Sequence, residues 1–128
     1  MTYIDSSVAL AYVLAEVRMP AQDFWDSTLV SSQLLAYEVW NRLQKDRPTR
    51  TIEDGARALL SGIELIDLSE VVLARALEPW PVPIRTLDAL HLATADYLRG
   101  QGESIDLASY DGCLIAAAQA IGISIAAL

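Results

Sequence analysis

Four acidic residues stand where this chain would pass from a strand into a helix or would begin a helix. They are Asp5 in TYIDSS, Glu38 in LLAYEVW, Asp88 in RTLDALHLATA and Asp111 in ASYDGCL. Strand-to-helix junctions gather on one edge of a parallel sheet, which is where α/β proteins bind their ligands. Several carboxylates at that edge would bind hard cations such as Mg²⁺ or Mn²⁺. The pattern therefore indicates metal-assisted chemistry on phosphodiesters.

Each acid also has an ordinary structural explanation. Asp5 and Asp111 would serve as helix N-caps, and Asp88 would interact favourably with a helix dipole. Glu38 would pair with Arg42, one turn later on the same helix. A site is favoured by Asp88, which heads a helix that is apolar nearly all round. An acid buried there needs a partner, and a cation would serve.

Polar neighbours complete the candidate site. Ser7 would orient the Asp5 carboxylate or a metal-bound water, and Ser109 would position that water or a phosphate. Arg85, just before the third acid, would contact a phosphate or form a surface ion pair. Arg42 would bind substrate as part of a basic cluster that suits a phosphate-binding surface or a solvated helix end. The cluster consists of Arg42, Lys45, Arg47 and Arg50.

His91 and Asp106 are weaker candidates for the site. His91 is the only histidine, which is too few for a zinc site, and Cys113 does not complete one. We therefore predict that His91 packs against a neighbouring element. Asp106 is expected near the start of a strand, at the edge of the sheet opposite Asp111, so Asp111 is the favoured acid.

Short apolar runs alternate with helix-length patterns along the chain. Strands are predicted at 3–4, 29–31, 63–68, 105–108 and 123–126, and helices at 6–16, 21–25, 33–45, 52–60, 71–77, 87–98 and 112–121. This alternation is typical of a mostly parallel sheet with helices on both faces. Right-handed crossovers place the carboxyl ends of the strands at one edge. We predict an α/β fold made of one domain that spans residues 1–128.

Composition limits the class of protein. The chain has 128 residues, 53% of them hydrophobic, and a formal net charge of -8. No apolar run approaches the roughly 20 residues of a membrane span, and the N-terminus lacks the features of a signal peptide. With a single cysteine no internal disulfide is possible, so we expect a cytoplasmic protein with no membrane partner. The negative charge opposes nucleic-acid binding unless cations bound among the acids dominate the local field.

At these motifs the chain resembles the PIN-domain family, specifically the VapC-like toxins of bacterial toxin–antitoxin pairs. The resemblance covers essentially the whole chain. YIDSSVALA is similar to the family's opening strand, YEVWNRL to its glutamate helix, RTLDALHLATA to its most specific segment, and LASYDGCLIAAAQAIGI to its last acidic motif and final helix. Ser109 stands where the family usually has threonine, and Gly112 and Cys113 stand where a basic residue is common.

The resemblance implies a PIN-like three-layer α/β/α sandwich around a roughly five-stranded sheet. It also implies Mg²⁺-dependent endoribonuclease activity on tRNA, rRNA or mRNA, with Mn²⁺ as a substitute. The four family acids, which are the catalytic and metal-binding residues, fall on Asp5, Glu38, Asp88 and Asp111. A homodimer and inhibition by a cognate antitoxin are further implications.

Three other functions fit parts of the pattern. A receiver-like phospho-acceptor also has acids at strand ends, but it needs a lysine near the last strand, and the only lysine here is Lys45. A binding module that retains the fold without catalysis is a second alternative. A DNA-directed nuclease with the same metal chemistry is the third, and parallel cleavage assays on RNA and DNA would separate these alternatives.

Overall fold

Five short parallel strands form one central sheet. In this computed structural model, which describes residues 1–16 and 18–128, the strands are β1 Thr2–Ile4, β2 Leu29–Ser32, β3 Glu64–Ile66, β4 Asp106–Ala108 and β5 Ser124–Ile125. Their order across the sheet is β3-β2-β1-β4-β5, and each neighbouring pair is parallel. β1 therefore lies at the centre, with Thr2 paired to Leu29 on one side and to Asp106 on the other.

Helices connect the strands and cover both faces of the sheet. They are α1 Ser6–Val13, a 3₁₀ helix Gln22–Asp26, α2 Leu34–Lys45, α3 Arg50–Ser61, α4 Glu70–Leu77, α5 Thr86–Gly100 and α6 Gly112–Ala120. Because all strands run in one direction, their carboxyl ends lie at the same edge, as Asp5 and Ser109 directly after β1 and β4 illustrate. No helix among these described residues combines the length and apolar composition that crossing a membrane requires.

Two apolar clusters pack on opposite faces of the sheet, because successive strand residues point to opposite sides. Tyr3 packs in one cluster with side chains of α5 and α6, whereas Ile4 packs in the other with side chains of α1, α2 and α3. Both Tyr3 and Ile4 are fully buried. This is a three-layer α/β/α sandwich, so the predicted fold class is confirmed.

The bounds of every predicted strand and helix differ from the observed ones by one to three residues at one or both ends. The first helix ends at Val13 rather than residue 16, and Ala15 adopts a left-handed backbone with φ 50°. Helix α3 begins at Arg50 rather than at the predicted residue 52. The Thr49 hydroxyl accepts a hydrogen bond from the Ile52 N–H and so caps this helix. Local hydrogen bonds of this kind leave little trace in the apolar pattern.

Candidate active site

Asp5 follows the central strand directly, and its carboxylate is almost completely enclosed. The side chain accepts hydrogen bonds on Oδ1 from the Ser7 hydroxyl at 2.6 Å and from the Ser7 N–H at 3.2 Å. Its Oδ2 accepts from the Ser109 hydroxyl at 2.7 Å. Asp5 is only 4% exposed, and burial raises its pKa, although the bonds from Ser7 and Ser109 act in the opposite direction. The carboxylate therefore has a fixed orientation, and it also caps α1 as its structural explanation predicts.

The two serines tie the end of β4 to the start of α1. The Ser7 hydroxyl accepts from the Tyr110 N–H at 2.9 Å, and the Ser109 hydroxyl accepts from the Asp111 N–H at 2.9 Å. Each serine hydroxyl thus accepts a hydrogen bond from a backbone N–H and donates one to the Asp5 carboxylate. The hydrogen bond from Ser7 orients the Asp5 carboxylate, which is one of the two roles predicted for Ser7. The role of both serines in positioning water or phosphate stays a prediction.

Glu38 projects from α2 and is held by hydrogen bonds from two other helices. Its Oε1 is hydrogen-bonded to Nε2 of His91 on α5, and its Oε2 accepts a long, 3.4 Å bond from the Ser6 hydroxyl on α1. The predicted ion pair with Arg42 is wrong, because Arg42 Nε lies 3.2 Å from Asp46 Oδ2 instead. Glu38 is therefore aimed away from its own helix surface and toward the sheet edge.

Asp88 and Asp111 are bridged by Arg85. Arg85 Nε lies 3.6 Å from Asp88 Oδ2, and Arg85 Nη2 lies 3.5 Å from Asp111 Oδ2. Burial and the charge of Asp111 raise the pKa of Asp88, while Arg85 partly offsets both effects. The Arg85 side chain is 80% exposed, so the predicted surface ion pair is present and leaves the guanidinium accessible. Asp111 also caps α6, with Oδ1 accepting from the Cys113 N–H at 2.9 Å.

The four acids line one cleft of about 550 Å³ at the carboxyl edge of the sheet, together with His91, Arg42 and Arg85. Asp106 lies at the opposite end of β4. Arg42 is the member of the basic cluster that borders the cleft. The sequence-predicted acids are thus brought together, although they come from four separate segments of the chain.

The donor set of this cleft suits a hard cation. Carboxylate oxygens are the ligands that Mg²⁺ and Mn²⁺ prefer, and the mutual repulsion of Asp88 and Asp111 is the electrostatic situation that a cation relieves. Across residues 1–16 and 18–128, however, no three Asp, Glu, His or Cys side chains are gathered closely enough to hold an ion as they stand. All four acids are engaged by Ser7, His91 and Arg85 instead.

His91 is a neighbour of the acids that the sequence pattern did not place at the cleft. It is 2% exposed, as the packing prediction requires, but both ring nitrogens are also hydrogen-bonded. Nε2 contacts Glu38, and Nδ1 lies 2.7 Å from the Tyr3 hydroxyl. The available signal was its place three residues after Asp88, on the same face of α5, together with a tyrosine in a strand that should be wholly apolar.

Comparison with known proteins shows the family to which the chain belongs. The PIN domain family matches residues 2–112. The chain belongs to the PIN domain family. Ribonuclease VapC46 from Mycobacterium tuberculosis is 35% identical over 134 residues, covering 98% of this chain and 95% of that protein. Ribonuclease VapC47 from the same species is 27% identical over 130 residues, covering 95% and 93%. The predicted resemblance to VapC-like PIN domains is confirmed.

Solved PIN-like structures share the fold at low sequence identity. The crystal structure of VapC20 from Mycobacterium tuberculosis, a Sarcin-Ricin loop cleaving toxin, superposes with a TM-score of 0.71 at 17% identity and covers 100% of both chains. A chain of a toxin–antitoxin complex from Klebsiella pneumoniae gives a TM-score of 0.59 at 19% identity, with 87% of each chain covered. At these identities the comparison supports the α/β/α architecture alone.

Proposed function

We propose that this PIN domain is a metal-dependent endoribonuclease and the toxin of a toxin–antitoxin pair. The observation that carries the proposal is the convergence of Asp5, Glu38, Asp88 and Asp111 on one cleft. It is supported by relatives of nearly full length that are named ribonucleases. The substrate would be a structured cellular RNA such as tRNA, rRNA or mRNA.

The cofactor would be Mg²⁺, with Mn²⁺ as a substitute, held by the four acids. A bound divalent cation supplies a water of lowered pKa and a positive charge for the phosphate. In the part of the chain that the structure describes, no three of the acids are gathered closely enough to hold an ion as they stand, so their side chains would have to move inward for all four to bind one ion. Arg85, which now neutralises Asp88 and Asp111, would be released by that change.

The remaining side chains would prepare the cleft for RNA. Ser7 and Ser109 keep the Asp5 carboxylate in one orientation, so that it offers the same oxygens to every ligand. Arg85 and Arg42 have exposed charges beside the acids, where they would bind substrate phosphates. In this proposal the acids hold the cation that cleaves the RNA, and the arginines contribute affinity for the RNA backbone.

An antitoxin and a second copy of the chain are the proposed protein partners, in the cytoplasm. The fold relative in a toxin–antitoxin complex supports the first. The net charge of -8 also suits a partner that inserts basic residues into the acidic cleft.

Cleavage of labelled RNA and of single-stranded DNA with the same sequence tests this function. The purified chain is assayed with Mg²⁺, with Mn²⁺ and with EDTA. We expect discrete cuts in RNA only, and only with metal. Cuts in DNA would instead indicate a nuclease of the same metal chemistry. No cleavage of either polymer, with no metal-induced rise in melting temperature, would indicate a PIN-fold binding module.

A further inference from the structure

Two buried side chains, Tyr3 and His91, connect the centre of the sheet to the partly exposed Glu38 at the cleft. We propose that Tyr3 and His91 are positioning residues that hold the Glu38 carboxylate in place for a divalent cation. The inference rests on the proposed function, because Glu38 is one of the acids assigned to the metal. Tyr3 and His91 lie in the segments YIDSSVALA and RTLDALHLATA, but neither is a carboxylate and neither is among the four acids.

The chain of contacts crosses three elements. The Tyr3 hydroxyl on β1 lies 2.7 Å from Nδ1 of His91 on α5, and Nε2 of His91 is hydrogen-bonded to Oε1 of Glu38 on α2. Tyr3 precedes His91 by 88 residues, and Glu38 precedes it by 53. These contacts therefore depend on the assembled fold and fix α2 relative to α5 across the sheet edge.

The direction of the protons follows from the chemistry of the two ends. An ionised carboxylate only accepts hydrogen bonds, so Nε2 of His91 must carry the proton that Glu38 receives. In a neutral imidazole Nδ1 then accepts, and its donor is the Tyr3 hydroxyl. The Tyr3 hydroxyl is fully buried and lies 2.7 Å from Nδ1, within hydrogen-bonding distance. With the proton on Nε2, His91 thus satisfies the hydrogen-bonding groups of Tyr3, His91 and Glu38 that contact one another.

The burial of Tyr3 and His91 indicates that their hydrogen bonds do more than pack the core. Tyr3 is 0% exposed and His91 is 2% exposed, so two polar groups are removed from water at a cost that phenylalanine or leucine would avoid. Glu38, by contrast, reaches the cleft, where its other oxygen has only the 3.4 Å bond from Ser6. One oxygen is therefore anchored from behind while the other faces the space where a cation would bind. Such outer partners of metal ligands orient them and raise metal affinity.

Variants that remove single links test the positioning role. Mn²⁺ affinity is measured by calorimetry, and kcat and KM for RNA are measured separately, for Tyr3→Phe, His91→Leu and His91→Gln. We expect Tyr3→Phe and His91→Leu to lose Mn²⁺ affinity and kcat by roughly 10- to 100-fold with little change in KM. His91→Gln keeps an N–H donor within reach of Glu38, so it should recover part of the loss that His91→Leu causes.

A double-variant experiment shows whether the effect passes through Glu38. In the Glu38→Gln background, Tyr3→Phe should cause no further loss of Mn²⁺ affinity, because the group that Tyr3 positions has been changed. Leu98→Val, which trims the same apolar cluster at the far end of α5, is the control for simple destabilisation. It should lower the melting temperature and leave Mn²⁺ affinity unchanged. Wild-type affinity in Tyr3→Phe, or an equal loss in both backgrounds, would overturn the proposal.

The imidazole itself provides a readout that needs neither metal nor RNA. His91 is the only histidine, so its ring nitrogens are assigned without ambiguity by NMR. We expect a protonated Nε2 and an unprotonated Nδ1, with a shift of Nδ1 in Tyr3→Phe. The opposite tautomer, or rapid averaging of the two, would overturn the chain of contacts.

The two hypotheses fail in distinguishable ways. Mn²⁺ binding with the expected couplings but no RNA cleavage would overturn the proposed function and leave the positioning role intact. Cleavage that depends on the acids but not on Tyr3 or His91 would overturn the positioning role alone. A wild-type chain that does not bind Mn²⁺ would overturn both.

Discussion

The Ser109 hydroxyl donates a 2.7 Å hydrogen bond to Oδ2 of Asp5, although 104 residues separate the two in the chain. The bond joins the ends of the adjacent strands β1 and β4 and fixes the most buried of the four acids. A residue with a hydroxyl suits position 109, because Oγ of Ser109 also accepts a hydrogen bond from the Asp111 N–H.

Ser109→Ala should destabilise the fold by about 1–3 kcal/mol, because it leaves a buried carboxylate oxygen and a backbone N–H without their partner. It should also raise the pKa of Asp5 further, since the Ser109 bond is one of the contacts that lower it. Urea denaturation measures the loss, and Ser109→Thr, which keeps the hydroxyl, is the matched control. A Ser109→Ala chain as stable as the wild type would show that water replaces the bond without cost.

Asp88→Asn should stabilise the metal-free chain at neutral pH. Burial and Asp111 raise the pKa of Asp88 above its ordinary value of 3.8, so the ionised carboxylate opposes folding. The wild type therefore loses this part of its stability as pH rises from 3.8 through the raised pKa, and the asparagine variant does not. Melting curves in EDTA over a range of pH test this, with the advantage of the variant shrinking toward acid pH. Mn²⁺ should then stabilise the wild type more than the variant. An Asp88→Asn chain that melts lower at every pH would contradict the electrostatic account.

We expect Asp96 to give the stability of the fold the opposite pH dependence. Burial alone would raise the pKa of Asp96, but hydrogen bonds from Arg75 at 2.9 Å and Arg99 at 2.7 Å outweigh burial and lower the pKa. The stability that this carboxylate contributes is present above its ordinary value of 3.8 and is lost as pH falls through the lowered pKa. Asp96→Asn should cost about 1 kcal/mol at neutral pH. The control is Asp54→Asn, whose exposed pair with Arg57 should contribute almost nothing; equal effects would contradict the prediction.

Arg85 should contribute to RNA binding through its charge. In an Asp88→Asn background, where cleavage is expected to be blocked, Arg85→Gln should weaken RNA binding and reduce the slope of log affinity against log salt by about 1. Arg57→Gln, an exposed arginine on α3 that pairs with Glu53 and Asp54, removes the same charge outside the cleft lining. Equal slopes for the two variants would mean that Arg85 serves only as the ion-pair partner of the acids.

The sequence predicts the architecture well because apolar patterning decides it. Short buried runs such as the one around Tyr3 and the long apolar stretch of α5 can only be strands and helices that cover one another. Once all strands are parallel, acids that follow them lie at one edge, which is why Asp5 and Asp111 line the same cleft although no local signal links them. Glu38 and Asp88 reach the same edge from the first halves of α2 and α5.

The partners of each acid are not predictable in the same way. Glu38 contacts His91 rather than Arg42 because packing of α2 against the sheet turns its carboxylate inward, and helix spacing alone cannot reveal that rotation. Arg85 joins Asp88 to Asp111 only because the start of α5 lies beside the start of α6. Such contacts depend on how the helices pack in three dimensions, which no short sequence motif reveals.

The most direct test of the central claim compares RNA cleavage by Asp88→Asn and Asp106→Asn in the presence of Mg²⁺ or Mn²⁺. Both variants remove one aspartate charge, but Asp88 lines the cleft and Asp106 lies at the start of β4, toward the opposite edge of the sheet. If the acidic cleft performs the chemistry, cleavage disappears in Asp88→Asn and persists at the wild-type rate in Asp106→Asn, always requiring metal. Cleavage that persists in Asp88→Asn, or that continues in EDTA, would contradict the assignment of this cleft as the active site.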